Sequence, residues 1–348
     1  MQKLIKPKRL EKGNKVAAVT LSWGGPGRHK HRYLAGKRVI EEKLGLKVVE
    51  MKHTLAEPEY IYKNPQARAH DLMEAFSRND IHAIFSTIGG NDSVRILKFL
   101  DLSVIRKNAK VFMGYSDTTV AHLACFRAGL VTFYGPSIMA GFAENVEPFQ
   151  YMLDYVQKAL FNTSPIGVLK ESKYWTDEYL DWELEKNQNV RRQLNKDSGW
   201  RWIQGEQKRS GVLLGGNLEV LEFLKGTDFF PSLNQWKNSI FYFETSEDQP
   251  SQVQIEQWLR NYGVQGILGV VNGIVAGRPV GSTQGSSREL IEAIKKIVVK
   301  EFGRGDIPIV TDVNIGHVDP ILTVPNGALA TLDPKNKKFS INESGITA

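Results

Sequence analysis

The sequence predicts an α/β protein: an N-terminal domain built on a mostly parallel sheet, then a second, β-richer mixed domain. Three observations carry this. Short apolar runs alternate with helical patterns through the first half. A polar segment rich in tryptophan then breaks the alternation, and after it strands and helices resume and end in several short β runs. A length of 348 residues also fits two domains, at roughly 150 residues each. The expected division is 1–165 for the first domain, 166–210 for a linker with a substrate-binding loop, and 211–348 for the second domain.

The first strand, over 16–22, runs into the turn formers Trp23-Gly-Gly-Pro-Gly27. A helix to about residue 44 sets Tyr33, Leu34, Val39, Ile40 and Leu44 on one side. A strand over 46–51 follows, and Pro65 opens a helix whose stripe is Ala69, Leu72, Met73 and Phe76. Strand 81–86 stops at Gly89-Gly-Asn-Asp92; strand 110–114 stops at Tyr115-Ser-Asp117 before a helix over 118–128. Parallel sheets bind ligands at the carboxyl ends of their strands, which is where these two turns fall. The segment 166–210 holds Trp175, Trp182, Trp200 and Trp202, four of the seven tryptophans. It is too long for a plain connection and too aromatic for disorder. The second domain is expected to hold strands over 211–215, 239–244 and 307–311, helices near 217, 253–262 and 288–302, a Gly/Val run over 266–277, and β runs at 321–324, 328–332 and 338–341.

Hydrophobic and charged fractions of 41% and 24% are those of a globular chain. No apolar run approaches the roughly 18 residues of a membrane span, and the basic start lacks the apolar core of a secretory signal. A cytoplasmic protein without a membrane partner is expected. Cys125, the single cysteine, excludes an internal disulfide and a cysteine-based zinc cluster. The net charge of +7 is unevenly placed: residues 171–185 hold six acids and one lysine, residues 186–209 seven bases and two acids. No zinc-finger spacing, basic heptad or RNP-type run accompanies it, so no nucleic-acid partner is expected. His-Glu-x-x-His, EF-hand and phosphate-loop motifs are also missing, and no metal or cofactor is expected.

Ser116 follows a strand, stands two residues after Gly114 and precedes a helix, which exposes a nucleophile at a strand end. The amide of Asp117, with one from the Gly89-Gly90 turn, could bind an oxyanion there. Position 118 is Thr, so the Gly-x-Ser-x-Gly elbow is not matched, and on local sequence alone helix capping by Ser116 and Asp117 is the favoured alternative. A serine nucleophile needs a base and an orienting carboxylate. His317 lies in the turn-rich Asn314-Ile-Gly-His-Val-Asp-Pro320 after a strand, whereas His122 sits within a helix and reads as a packing or surface residue. Glu244 ends the strand 239–244, with a capping or salt-bridged acid as the even alternative, and Asp319 reads as a turn stabiliser. A histidine base would make the rate rise through a group within a unit or two of 6.5.

Gly114-Tyr-Ser-Asp117, Val212-Leu-Leu-Gly-Gly-Asn-Leu218, Phe243-Glu-Thr-Ser-Glu247 and Gly316-His-Val-Asp-Pro320 together resemble, in order and spacing, the LD-carboxypeptidase family of serine peptidases. The resemblance spans essentially the whole chain. It implies a Ser–Glu–His triad at Ser116, Glu244 and His317, oxyanion donors at Gly90 and Asp117, no metal, and a homodimer. The stretch Tyr174-Trp-Thr-Asp-Glu-Tyr-Leu-Asp-Trp182, with Gly199-Trp200, is similar to the microcin C immunity (MccF-like) branch. That branch cleaves the amide joining an aminoacyl or peptidyl group to a nucleotide analogue, and the likeness implies substrate binding by Trp175, Asn217 and Arg278, with Trp175 stacking on the ligand. The alternatives are a muropeptide LD-carboxypeptidase of cell-wall recycling, with a small peptide substrate, and a non-catalytic protein that holds a nucleotide-like ligand.

Overall fold

The computed structural model describes residues 4–348. Among them, strands form one six-stranded, one eight-stranded and one two-stranded sheet. The six-stranded sheet runs in the order Val324–Asn326, Thr132–Tyr134, Val111–Gly114, Ala83–Ser86, Lys15–Val19, Lys47–Glu50. All its pairings are parallel except that of Val324–Asn326 with Thr132–Tyr134. Helices cover both faces, so the inner strands are apolar throughout: Val16 to Val19 and Ala83 to Phe85 are fully buried.

The eight-stranded sheet is ordered Gly167–Val168, Lys338–Ile341, Leu329–Asp333, Arg209–Asn217, Ile240–Glu244, Gly273–Gly277, Ile309–Val313, Arg201–Gln204. Its four middle strands from Arg209–Asn217 to Ile309–Val313 are parallel and the outer ones antiparallel. Gly215 allows the close packing there, because a Cβ at this position would stand 1.6 Å from the Tyr242 carbonyl oxygen. The expected α/β class with a mixed second sheet is therefore observed.

Two expectations change. The β run near 321–324 does not stay in the second domain; Val324–Asn326 pairs with Tyr134, Phe133 and Thr132 and covers what would be an open edge of the first sheet. The segment 166–210 is not a free linker either. It supplies the edge strands Gly167–Val168 and Arg201–Gln204 to opposite sides of the second sheet, and between them the ribbon Tyr174–Trp175 with Asn195–Lys196. No helix among the described residues is long and apolar enough to cross a membrane.

One apolar cluster joins the two halves. Val120, Leu123 and Phe126 of helix Thr119–Ala128 pack with Leu214, Leu218, Leu221 and Trp236 of the second domain. The site described below lies along this seam. Leu123→Ala should therefore cost about 2–5 kcal/mol, the usual range for a fully buried leucine, and denaturant unfolding should remain one transition by both tryptophan fluorescence and circular dichroism. Two separated transitions would mean that the halves fold independently.

Candidate active site

Ser116 directly follows strand Val111–Gly114 and Tyr115, with φ +62°, a conformation non-glycine residues adopt only when the surroundings impose it. Three contacts impose it. The Ser116 amide donates to the Tyr134 hydroxyl at 3.0 Å. A Cβ on Gly89 would lie 2.8 Å from Ser116 Oγ, and one on Gly114 2.8 Å from Ser86 Cβ, so both glycines permit close approach. The capping alternative is not what the side chains do. Ser116 Oγ meets His317 Nε2 at 3.0 Å, and Asp117, fully buried, accepts from the Ser93 amide at 2.8 Å.

Glu244 ends the parallel strand Ile240–Glu244 and is 1% exposed. Its Oε2 meets His317 Nδ1 at 2.6 Å, while Oε1 accepts from the Tyr134 hydroxyl at 2.6 Å and from the Asn217 amide at 3.2 Å. Gly316, at φ +96°, lets the turn press on the carboxylate, since a Cβ there would be 2.3 Å from Oε2. Asn217 also accepts from the Val220 amide at the start of helix Leu218–Leu224 and is 1% exposed. The structure gives it a further place beside the one expected at the substrate: its side-chain amide stands behind Glu244 and orients it. Tyr134 is a support of the candidate triad that sequence reasoning left out, since it carried no local signal; Asn217 was named, at the end of a Gly-Gly-Asn run, but in another role.

Burial disfavours a charged His317, but the carboxylate of Glu244, aided by Glu247 and Glu219, outweighs it and raises the imidazole to about 9. This exceeds the expectation of a unit or two around 6.5. Burial likewise opposes ionisation of Glu244, and there His317, Tyr134 and Asn217 prevail and hold the carboxyl below its ordinary value. His122 is the opposite case. Fully buried, bonded to the Gly114 carbonyl and to Thr132, it is pushed down to about 4 and serves packing. Asp319, the rival carboxylate, accepts from Arg192 at 2.6 Å and exchanges backbone bonds with Thr176, which ties the 166–210 segment to the His317 turn.

The Gly89-Gly90 turn is held from below. Arg68, fully buried, donates to both carboxylate oxygens of Asp92 at 2.7 and 3.1 Å and to the carbonyls of Leu21 and Ser22. Gly90, at φ +143°, lies so close to Ser22 that a Cβ would be 2.3 Å from its Oγ. Neither the Gly90 nor the Asp117 amide donates to a protein group among the described residues.

Trp175 is 5% exposed, with the Arg278 guanidinium 4.9 Å from its ring centroid, and Arg278, 3% exposed, pairs with Asp197 at 2.6 Å. Both therefore form a wall, with one face of the Trp175 ring already covered. The half-buried aromatic surface is elsewhere: Trp23 and Trp182 stack at 6.3 Å, flanked by His29, with Arg32 4.2 Å from the Trp182 centroid. The Trp23 amide bonds the Gly89 carbonyl, which places this pair beside the serine. Its signal was present in the turn after the first strand and at the end of the aromatic run. His70, Asp71 and Glu74 bring ligand atoms within 4.8 Å of one another, but on a different helix, where Asp71 already binds His53.

Family models for the N-terminal and C-terminal domains of LD-carboxypeptidases match residues 16–135 and 210–332. The chain belongs to the LD-carboxypeptidase family. As a member it is a serine peptidase. It is 28% identical to the microcin C7 self-immunity protein MccF of Escherichia coli over 91% of this chain and 90% of the relative, and 27% identical to the "Probable murein peptide carboxypeptidase" of Bacillus subtilis over 98% and 95%. Among solved structures, an MccF-like protein of Streptococcus pneumoniae in complex with AMP superposes with a TM-score of 0.85 at 30% identity, covering 95% of this chain and 99% of that one. MccF in complex with aspartyl sulfamoyl adenosine gives 0.86 at 27%, covering 99% and 100%. These place this LD-carboxypeptidase family member in the MccF-like branch.

A raised histidine fixes two signs. Its bond to Glu244 should add to folding stability fully below about pH 6.5 and progressively less as pH rises through about 9, so the gap in melting temperature between the parent and His317→Gln should narrow over that window. A base must be neutral, so kcat/KM on a non-ionising substrate should rise through about 9. A limb at or below 6.5 would mean that the carboxylates do not control the imidazole.

Proposed function

We propose that this enzyme hydrolyses the amide between an aminoacyl or peptidyl group and a nucleotide analogue, using Ser116, His317 and Glu244. The observation that carries the chemistry is the unbroken chain from Glu244 through His317 to Ser116 Oγ, at 2.6 and 3.0 Å, on three strand ends. Ser116 attacks the carbonyl as Nε2 of His317 takes its proton, and Glu244 balances the imidazolium. The amides of Gly90 and Asp117, unused by the fold, would hold the oxyanion. His317 then protonates the leaving nitrogen, and water, activated by the same base, releases the acyl group from Ser116.

The nucleotide half of the proposal is supported by the half-buried Trp23–Trp182 stack; with Arg32 over Trp182, a base would add to this stack at its Trp23 end. It is supported further by the AMP and aminoacyl sulfamoyl adenosine complexes of the similar proteins. Trp175 and Arg278 would back this surface from the wall. The biological role in this proposal is self-immunity of the microcin C type, exerted in the cytoplasm by a homodimer; sedimentation velocity checks the dimer.

Three variants test the chemistry: Ser116→Ala, Glu244→Gln and His317→Ala should each lower turnover of an aminoacyl sulfamoyl adenosine by several orders of magnitude without unfolding the protein. Near-parental turnover by Ser116→Ala would end the proposed mechanism. Trp182→Ala should lower kcat/KM on that substrate by about ten- to a hundredfold, from the roughly 1–3 kcal/mol of a base–aromatic stack, and spare a muropeptide tetrapeptide. Trp175→Ala should lower the melting temperature and affect both substrates alike. A parent enzyme that turns over only the tetrapeptide would replace the nucleotide proposal with cell-wall peptide trimming.

A further inference from the structure

His317 Nε2 has two neighbours competing for one position. Ser116 Oγ lies at 3.0 Å and the Glu247 carboxylate at 3.2 Å. A single N–H cannot serve both well, and a base needs this nitrogen bare towards the serine. Glu247 belongs to the turn after strand Ile240–Glu244, and its side chain is 73% exposed against 9% for His317. The turn itself is anchored: the Ser246 amide and hydroxyl donate to Glu219 Oε1 at 2.7 and 2.8 Å. The other oxygen of Glu219 is buried without a partner. The backbone is thus fixed while the Glu247 carboxylate is free to leave the imidazole.

The charged groups that face His317 are Glu244 on its own strand end, Glu247 on the turn and Glu219 on helix Leu218–Leu224; Tyr115, whose ring is 5.0 Å away, is kept neutral by burial. None of the three carboxylates pairs with Lys or Arg among the described residues. Three carboxylates around one imidazole leave the mouth short of positive charge. In an aminoacyl amide the ammonium nitrogen on the α-carbon stands about 3 Å from the amide nitrogen, by standard bond lengths. His317 must reach that amide nitrogen to protonate it, so the ammonium enters the space that Glu247 occupies.

Resting on the hydrolysis proposed above, we propose that Glu247 selects acyl groups bearing a protonated amine beside the scissile carbonyl, and that by moving from His317 to this ammonium it frees the imidazole to act as base. The ion pair is exchanged rather than lost. The ammonium takes the carboxylate, and the extra proton on Nε2 passes to solvent. Peptidyl substrates, whose α-amine is acylated, leave Glu247 on His317 and are therefore the slower of the two classes named above at neutral pH.

The test uses matched pairs, each with a free and an N-acetylated α-amine: an aminoacyl sulfamoyl adenosine pair and an aminoacyl p-nitroanilide pair. At pH 7 the parent should prefer the free amine by roughly ten- to a hundredfold in kcat/KM, the range of a charge-assisted contact, and in Glu247→Gln the ratio should fall towards one. On the N-acetylated substrates, the rising limb of the pH profile should move to lower pH in Glu247→Gln, an effect that a purely structural role would not produce. Equal rates on free and blocked amines in the parent, a preference retained in Glu247→Gln, or an unmoved limb overturns the proposal. Hydrolysis of the anilide pair alone removes the nucleotide half of the function, with the role of Glu247 then judged on that pair. Turnover of neither pair overturns both.

Discussion

A carboxylate with 1% exposure and no Lys or Arg partner governs much of this molecule. Glu244 is stable as an anion only because an imidazole, a phenol and an amide converge on its two oxygens. Those groups come from three separate places: His317 from the turn after strand Ile309–Val313, Asn217 from the end of strand Arg209–Asn217, and Tyr134 from the other sheet. Satisfying one buried charge therefore requires the two sheets to be locked in one arrangement. Tyr134 makes the lock explicit, since the hydroxyl that donates to Glu244 also accepts the Ser116 amide. Ser116 and Glu244, the nucleophile and the carboxylate of the proposed triad, are joined through this phenol.

The same arrangement explains where strain is tolerated. Ser116 and Gly90 both hold positive φ, and a Cβ would fit neither at Gly89, against Ser116, nor at Gly90, against Ser22. Such backbone needs support from outside itself. Arg68 gives it, as a buried cation whose two terminal nitrogens bond Asp92 and two carbonyls directly beneath the turn. A lone buried arginine would be costly, but paired in this way it fixes the turn that presents the Gly90 amide.

Much of this was legible in the sequence because strand ends announce themselves. Apolar runs broken by Gly89-Gly90, by Tyr115-Ser116 and by Glu244-Thr245 located the site, and the order of the motifs located the family. Less legible was everything set by contacts between distant segments. Nothing near Val324 signals that it closes the first sheet, because edge pairing is decided by which strand is left uncovered. Asn217 was named from the family likeness alone, and its local sequence does not show that it caps a helix and holds Glu244 at once. Trp175 and Trp182 lie in one aromatic run, and local sequence does not reveal that Arg278 covers the first and Arg32 the second, or that the second also pairs with Trp23.

The placement of that aromatic run bears on how one triad can serve different substrates. The segment 166–210 is bound into the second sheet at both edges, and it meets the turn that carries His317 at two residues: Asp319, through the Thr176 backbone and Arg192, and Asn314, through Trp200 and Ser172. The catalytic geometry leans instead on Glu244, Tyr134 and Asn217, none of which belongs to the segment. Changes at Trp182 can thus alter what is held beside Ser116 without disturbing the bonds that hold His317, whereas Trp200 is tied to the His317 turn through Asn314. Charge is less separable than shape. A carboxylate such as Glu247 acts on the substrate and on the imidazole at once, so altering selectivity for charged acyl groups also alters the pH at which the base becomes available.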